Sequence, residues 1–159
     1  MRITTVARKL LGVISLFVTA VRFEHRALVL GVRPRWRKPR CGRCKRRAPG
    51  YDTRSPRLWK ALPIGRVSVV LEYAPRRVSC PRCDGVYTEQ VPWAAHGSRF
   101  TYDFEEMAAY LAQVTDKTNA SAMLGIAWQT VGSIIERVVA RRLDAGRLDG
   151  LRRIGVDEF

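Results

Sequence analysis

The sequence predicts an α+β fold, a small β-rich domain followed by a helical segment. Three observations predict it. Apolar residues alternate with period two in several stretches before residue 95, and they recur at helical spacing between about residues 100 and 145. Two short cysteine pairs, Cys41/Cys44 and Cys80/Cys83, both fall in the β-rich part. With 159 residues, 47% of them hydrophobic, the chain can bury a core without disulfides.

The chain opens on basic residues and then an apolar run from Leu10 to Val21. With the small-residue site Val18-Thr19-Ala20, this run imitates a secretory signal. It is too short to span a bilayer as a helix. The paired thiols speak against export, so a strand or strand-helix element packed on a basic domain is expected. "FEHRALVLGVRP" (23–34) alternates as a second strand, pairing with the first through a turn near His25 and Arg26.

Further along, "RVSVVLEY" (66–73) places Val67, Val69, Leu71 and Tyr73 on one face. "VYTEQV" (86–91) reads as another short strand. Pro49-Gly50, Pro63, Gly65, Pro75 and Pro81 punctuate the gaps. The helical part begins with "TYDFEEMAAYLAQVT" (101–115), where Phe104, Met107, Ala108 and Leu111 share a face and Asp103 is the expected cap. In "NASAMLGIAWQTVGSIIERVVARRL" (119–143), Val131, Ile134, Ile135, Val138 and Val139 form an apolar stripe. A connection from residue 146 then leads into an apolar strand in "LRRIGVDEF" (151–159). The expected domains are therefore 1–95, 96–145 and the beginning of a third at 146–159.

The charge narrows the function. Lys and Arg number 29 against 14 Asp and Glu, a net +15. Such an excess favours a polyanion, nucleic acid first and an acidic membrane surface second. Twelve of the cations crowd residues 33–60, with Asp52 as the only acid there. Arg37, Lys38, Arg40, Arg43, Lys45, Arg46 and Arg47 are the candidate phosphate contacts in this window.

Each cysteine pair is a C-x-x-C, "RCGRCK" and "SCPRCDG". Together they offer four soft thiolates, the number a tetrahedral Zn²⁺ site needs. Cys41, Cys44, Cys80 and Cys83 are the expected ligands. The 35 residues between the pairs would form strands that join the two knuckles, as in a zinc ribbon. A closed Cys₄ set leaves no open position, so the expected role is structural. Two disulfides, a redox dithiol, or iron in the same cage are the competing readings. A redox pair would need a thioredoxin-like βαβ context, which is absent. Reduced thiols imply a cytoplasmic protein. His25 and His96 do not stand at ligand spacing from either pair.

"KTNASAMLGIAWQTVGSIIE" (117–136) has the pattern of a helix-turn-helix. Ala120, Leu124, Ile126, Val131 and Ile134 fall where the inter-helix core lies, and Gly125 where the turn needs positive φ. The second helix would then present Trp128, Gln129, Thr130 and Ser133 to the major groove, with Arg137 further on. Gln bonds adenine, and Thr meets a thymine methyl. Trp128 has two readings, DNA contact or packing on Tyr110 or Phe104.

In combination and in order, these motifs resemble the ISL3 family of bacterial insertion-sequence transposases. The resemblance rests on "LLGV", "LVLGVRPR", "RCGRC", "APGYD", "VSVVLEYAPRRVSCPRC", "VPWAAHGSRFTYDFE" and "LDGLRRIGVDEF". It implies an amino-terminal zinc-binding domain, a helix-turn-helix, and an RNase-H-like catalytic domain in which three carboxylates hold two Mg²⁺ ions. Asp157 matches the first of those carboxylates. The sequence ends two residues later, so the reading expects a catalytically incomplete, truncated or frameshifted product that binds DNA without cutting it. Its partner would be double-stranded DNA at the terminal inverted repeats, bound by one chain or a homodimer, in the nucleoid and without a membrane. The rival reading is a free-standing zinc-ribbon transcription regulator.

Overall fold

Alternation of β-branched and apolar residues organises the first part of the chain into two sheets. A computed structural model describes residues 3–12, 15–24, 26–143, 146 and 149–150. His25 and the expected strand at 151–159 lie outside them. The described residues fall into two compact units, Met1–Phe104 and Glu105–Phe159.

The first unit opens with helix α1 (Ile3–Leu11) and continues with strands β1 (Leu16–Glu24) and β2 (Ala27–Pro34). The apolar run that imitates a signal is thus divided between a helix and a sheet strand. β1 and β2 form the expected antiparallel hairpin, and its turn places Arg26 at φ 69°. Strands β3 (Gly50–Thr53), β4 (Arg57–Ile64), β5 (Val67–Tyr73), β6 (Arg76–Cys80) and β7 (Gly85–Thr88) follow.

These strands sort into a four-stranded sheet, β1-β2-β5-β4, and a three-stranded sheet, β3-β6-β7. β5 lies parallel to β2 and antiparallel to β4. The chain therefore leaves the first sheet after β2, lays down β3, and returns for β4 and β5. Pro63, read as a gap, sits inside β4. β4 is an edge strand, and its register is irregular between Ala61 and Ile64, so no ladder N–H is missed there. The segment after β7 covers that edge: Lys60 N donates to Arg99 O at 2.9 Å and Thr101 N to Lys60 O at 3.0 Å.

The four-stranded sheet has a full hydrophobic core. Leu16, Leu30, Val69 and Leu71 are completely buried, and Ala7 and Leu11 of α1 pack against the same cluster. Trp93 lies edge-on to both Trp59 (5.6 Å) and Tyr73 (5.5 Å). Burying one such ring removes apolar area worth about 2–3 kcal/mol from water.

The three-stranded sheet is different. Its small core consists of Cys41, Cys44, Cys80 and Cys83 with Ala48, Val78 and Tyr87. One buried carboxylate joins the two sheets. Glu89 accepts from Tyr73 Oη at 2.7 Å, from Arg76 N at 2.8 Å and from the Arg76 guanidinium at 2.7 Å. Tyr73 ends β5 and Arg76 begins β6, so this network sits where the chain crosses between sheets. Burial, and then the Glu89 carboxylate, raise the Tyr73 hydroxyl above its ordinary range.

Helix α2 (Tyr102–Val114) starts two residues earlier than a cap at Asp103 implies. Thr101, not Asp103, is its cap, because Thr101 Oγ1 accepts from Phe104 N at 3.3 Å. Asp103 thereby falls inside the first turn, where the helix dipole still favours an acid.

The second unit holds the rest of α2 with α3 (Lys117–Leu124) and α4 (Trp128–Arg142). Asp116 caps α3 through Oδ1, which accepts from Asn119 N at 2.8 Å. Gly125 ends it at φ 58°, ψ 49°. Gly125 N donates to Ala122 O and Ile126 N to Ser121 O, the paired bonds of a Schellman turn. Ala120, Val131 and Ile134 are buried, whereas Leu124 and Ile126 are half-buried. Val139, placed on the apolar stripe of α4, is exposed. The buried carboxylate of Glu105 binds α2 to α4 through Arg137 (2.9 Å) and Arg141 (3.1 Å).

Candidate metal centre and nucleic-acid interface

Each knuckle is a tight turn closed by a backbone hydrogen bond to the carbonyl of its first cysteine. Cys41 leads a tight turn closed by Lys45 N donating to Cys41 O at 2.8 Å, and Arg43 N points at Cys41 Sγ at 3.4 Å. Cys80 ends β6, and Cys83 N donates to Cys80 O at 3.2 Å. In each knuckle the residue after the second cysteine turns left-handed, Lys45 at φ 62° and Asp84 at φ 49°.

The four Sγ atoms lie within 4.8 Å of one another, and Cys44 Sγ is 3.6 Å from Cys80 Sγ. A disulfide needs about 2.05 Å. A tetrahedron with Zn–S bonds of about 2.3 Å has S···S edges of about 3.8 Å. The donor set therefore fits a structural Zn²⁺ and not a pair of disulfides. The backbone N–H of Arg46 draws the Cys44 thiol down to about 7, while burial pushes Cys83 up to about 12.

Gly42 is required by space. A Cβ there would lie 2.5 Å from Thr88 O and 2.8 Å from His96 Nδ1. His96, remote in sequence from either pair, therefore stands beside the first knuckle. A second clasp joins the knuckles without the metal: Arg43 donates to Tyr87 Oη at 3.2 Å, and Tyr87 Oη donates to Cys83 O at 3.0 Å.

Around this centre Arg37, Lys38, Arg43, Lys45, Arg46 and Arg47 are exposed. Arg40 is half-buried and stacked over Trp36 at 5.3 Å. Two further arginines, Arg33 and Arg35, converge on the Phe17 ring at 4.7 and 5.1 Å. The basic composition of residues 33–60 includes both, but only the strand pairing reveals the shared aromatic ring.

In the second unit Trp128 is 52% exposed and stands under Lys117 Nζ, 4.9 Å from the ring centroid. Gln129 and Ser133 are exposed, and Thr130 is half-buried. Ser133 Oγ donates to Gln129 O at 3.4 Å. Arg137 is ion-paired to Glu105 at 2.9 Å. Ten residues of helix and turn separate Lys117 from Trp128 in the sequence, so no local pattern links the two. Asp157 lies outside the described residues. No helix among the described residues is long and apolar enough to cross a membrane.

Comparison with known proteins agrees with this geometry. Residues 37–83 match the zinc-finger of transposase IS204/IS1001/IS1096/IS1165. Residues 89–139 match the helix-turn-helix domain of transposase family ISL3. The chain is 44% identical over 124 residues to the transposase for insertion sequence element IS1557 of Mycobacterium tuberculosis strain CDC 1551 / Oshkosh, and equally to that of strain ATCC 25618 / H37Rv. The matched segment is 76% of this chain and 27% of each relative, so the chain spans about a quarter of the length of the curated relatives it matches. No solved structure matches significantly. With a four-thiol ribbon and a helix-turn-helix in the family's order, the chain belongs to the ISL3 transposases and carries their zinc-finger and DNA-binding helix-turn-helix portion.

Proposed function

We propose that this portion recognises the terminal inverted repeats of an insertion sequence. The single observation that carries the reading is the two-sided character of α4. Val131 and Ile134 are buried, while Trp128, Gln129 and Ser133 are exposed directly after the Gly125 turn. That is the arrangement in which a recognition helix presents its first turns to base edges in the major groove. Gln129, with Thr130 and Ser133, would read bases. Trp128 and Arg137 would border that surface, Arg137 also bracing the helix through Glu105.

The zinc unit would supply the sequence-independent part. Arg37, Lys38, Arg40, Arg43, Lys45, Arg46 and Arg47 would meet phosphates, and the metal would hold the knuckles that carry them. DNA cleavage, with Asp157 as one of three carboxylates for Mg²⁺, would belong to the whole transposase in the bacterial cytoplasm. The portion would work on the nucleoid, and two copies would suit paired element ends.

The test is equilibrium binding of the chain to its own element ends against random duplex at one fixed salt. The expected preference is about a thousandfold. Gln129→Ala should reduce it by about 1–3 kcal/mol at one base position. Equal affinity for both duplexes would refute end recognition.

A further inference from the structure

The loop before the first knuckle and the start of β3 enclose an open cavity of about 480 Å³. Its charged wall is Arg37, Lys38 and Arg47, and Pro39, Ala48, Pro49 and Gly50 line the rest. No carboxylate lines it. None of the three cations is ion-paired among the described residues. The two acids of the neighbouring strands are already engaged, Asp52 by Arg77 and Glu89 by Arg76.

The backbone points the same way. Arg37 O accepts from Arg76 Nη1 at 2.8 Å, Pro39 O from Ala48 N at 3.2 Å, and Pro49 O from Ser79 N at 3.1 Å. Three carbonyls of the wall are thus satisfied internally, and the charged side chains that remain can only donate. A cavity of donors and positive charge, with small or rigid residues between them, suits an anion rich in acceptors. Arg76 fixes one side of it without adding net field, because Glu89 neutralises it.

We infer that this cavity seats one or more phosphodiester groups of the duplex backbone, as the phosphate anchor of the zinc unit. The inference rests on the DNA-binding reading and deepens it. The anchor is a concave site, distinct from Arg43, Lys45 and Arg46 of the knuckle, which do not line the cavity. Arg37 and Arg47 would grip the phosphate oxygens in fork geometry, and Lys38 would act as a point charge.

Two measurements on the zinc-loaded chain test it. The first is the slope of log affinity against log salt for duplex DNA. Removing a phosphate contact should reduce that slope by about 0.9. The triple variant R37Q/K38Q/R47Q should lose up to about 2.7, whereas R26Q/R66Q/R99Q, with the same loss of charge at exposed positions elsewhere, should lose much less. Equal slopes for the two variants would overturn the anchor and leave DNA binding standing.

The second is a titration with inorganic phosphate against chloride at constant ionic strength, followed by amide NMR shifts. Shifts should gather at Lys38, Ala48 and Gly50 and vanish in the triple variant. Shifts spread over all basic segments, or none, would overturn the anchor even if the chain bound no duplex. If the triple variant loses zinc or fold, the titration of the unaltered chain decides alone.

Discussion

The three-stranded sheet and the helix-turn-helix are both small, and they hold together by opposite means. The sheet has four cysteines among the seven members of its core, drawn from segments 35 residues apart. Its order is imported through a metal. The helix-turn-helix is closed by neighbours in sequence: Asp116 on Asn119, Gly125 on Ala122, and Ile126 on Ser121. Its order is written locally. The cations proposed to meet phosphates thus stand on an element built around the four thiols, and the residues proposed to read bases on one that is not.

The strongest way to test that contrast is to remove the metal. Cys80→Ser, or chelation, should unfold the three-stranded sheet, since structural zinc supplies about 10–16 kcal/mol in comparable small domains. Amide signals of β3, β6 and β7 should collapse while those of α3 and α4 persist. Joint collapse of both regions would break the comparison.

A smaller effect separates the two buried carboxylates. Glu89→Gln leaves Arg76 without its counter-charge and should cost about 3–5 kcal/mol in denaturant unfolding, felt in both sheets. Glu105→Gln should cost somewhat less, because its partner Arg137 is 36% exposed, against 27% for Arg76, and can turn to water. Equal losses would mean that solvent access is not what distinguishes them.

The two glycines come next. Gly42→Ala meets the Thr88 carbonyl and should cost about 1–3 kcal/mol, with weakened zinc retention. Gly125→Ala should cost about 1–2 kcal/mol through its left-handed φ alone, read as a lowered Tm without zinc loss. Asn, which tolerates that φ, should recover part of the loss at 125 and nothing at 42.

The smallest effect lies on the surface of the metal-dependent sheet. The Arg77 guanidinium holds the Asp52 carboxyl below its ordinary value of 3.8. The folded form binds that proton less readily than the unfolded one. The pair's contribution is therefore complete above the ordinary carboxyl range and fades as pH falls through the folded value. An NMR titration should show Asp52 protonating below free aspartate, and Arg77→Gln should remove most of the difference, with Arg54 left as a weaker cause.

Features fixed by short spacing were readable in the sequence. The paired cysteines, the Gly125 turn, the β1–β2 hairpin and the alternation of β5 all depend on residues within a few positions of one another. Features set by partners far away were not. The helix at Ile3–Leu11 shares its apolar run with β1, and only packing divides the two. β4 was hidden because Pro63 reads as a breaker until its edge position is known. The Lys117–Trp128 contact, the two carboxylate hubs and the approach of His96 to Gly42 bring together residues that no periodicity links.

The order in which the strands are laid down has one more consequence. β4 and β5 lie between the two cysteine pairs, yet they belong to the other sheet. A segment from Arg37 to Glu89 transplanted to a new host would carry both knuckles and two strands stripped of β2. It would leave behind a hairpin with an open, apolar flank. Recombination at the obvious cysteine boundaries should therefore yield insoluble halves, and this ribbon can be inherited or engineered only together with the sheet around it.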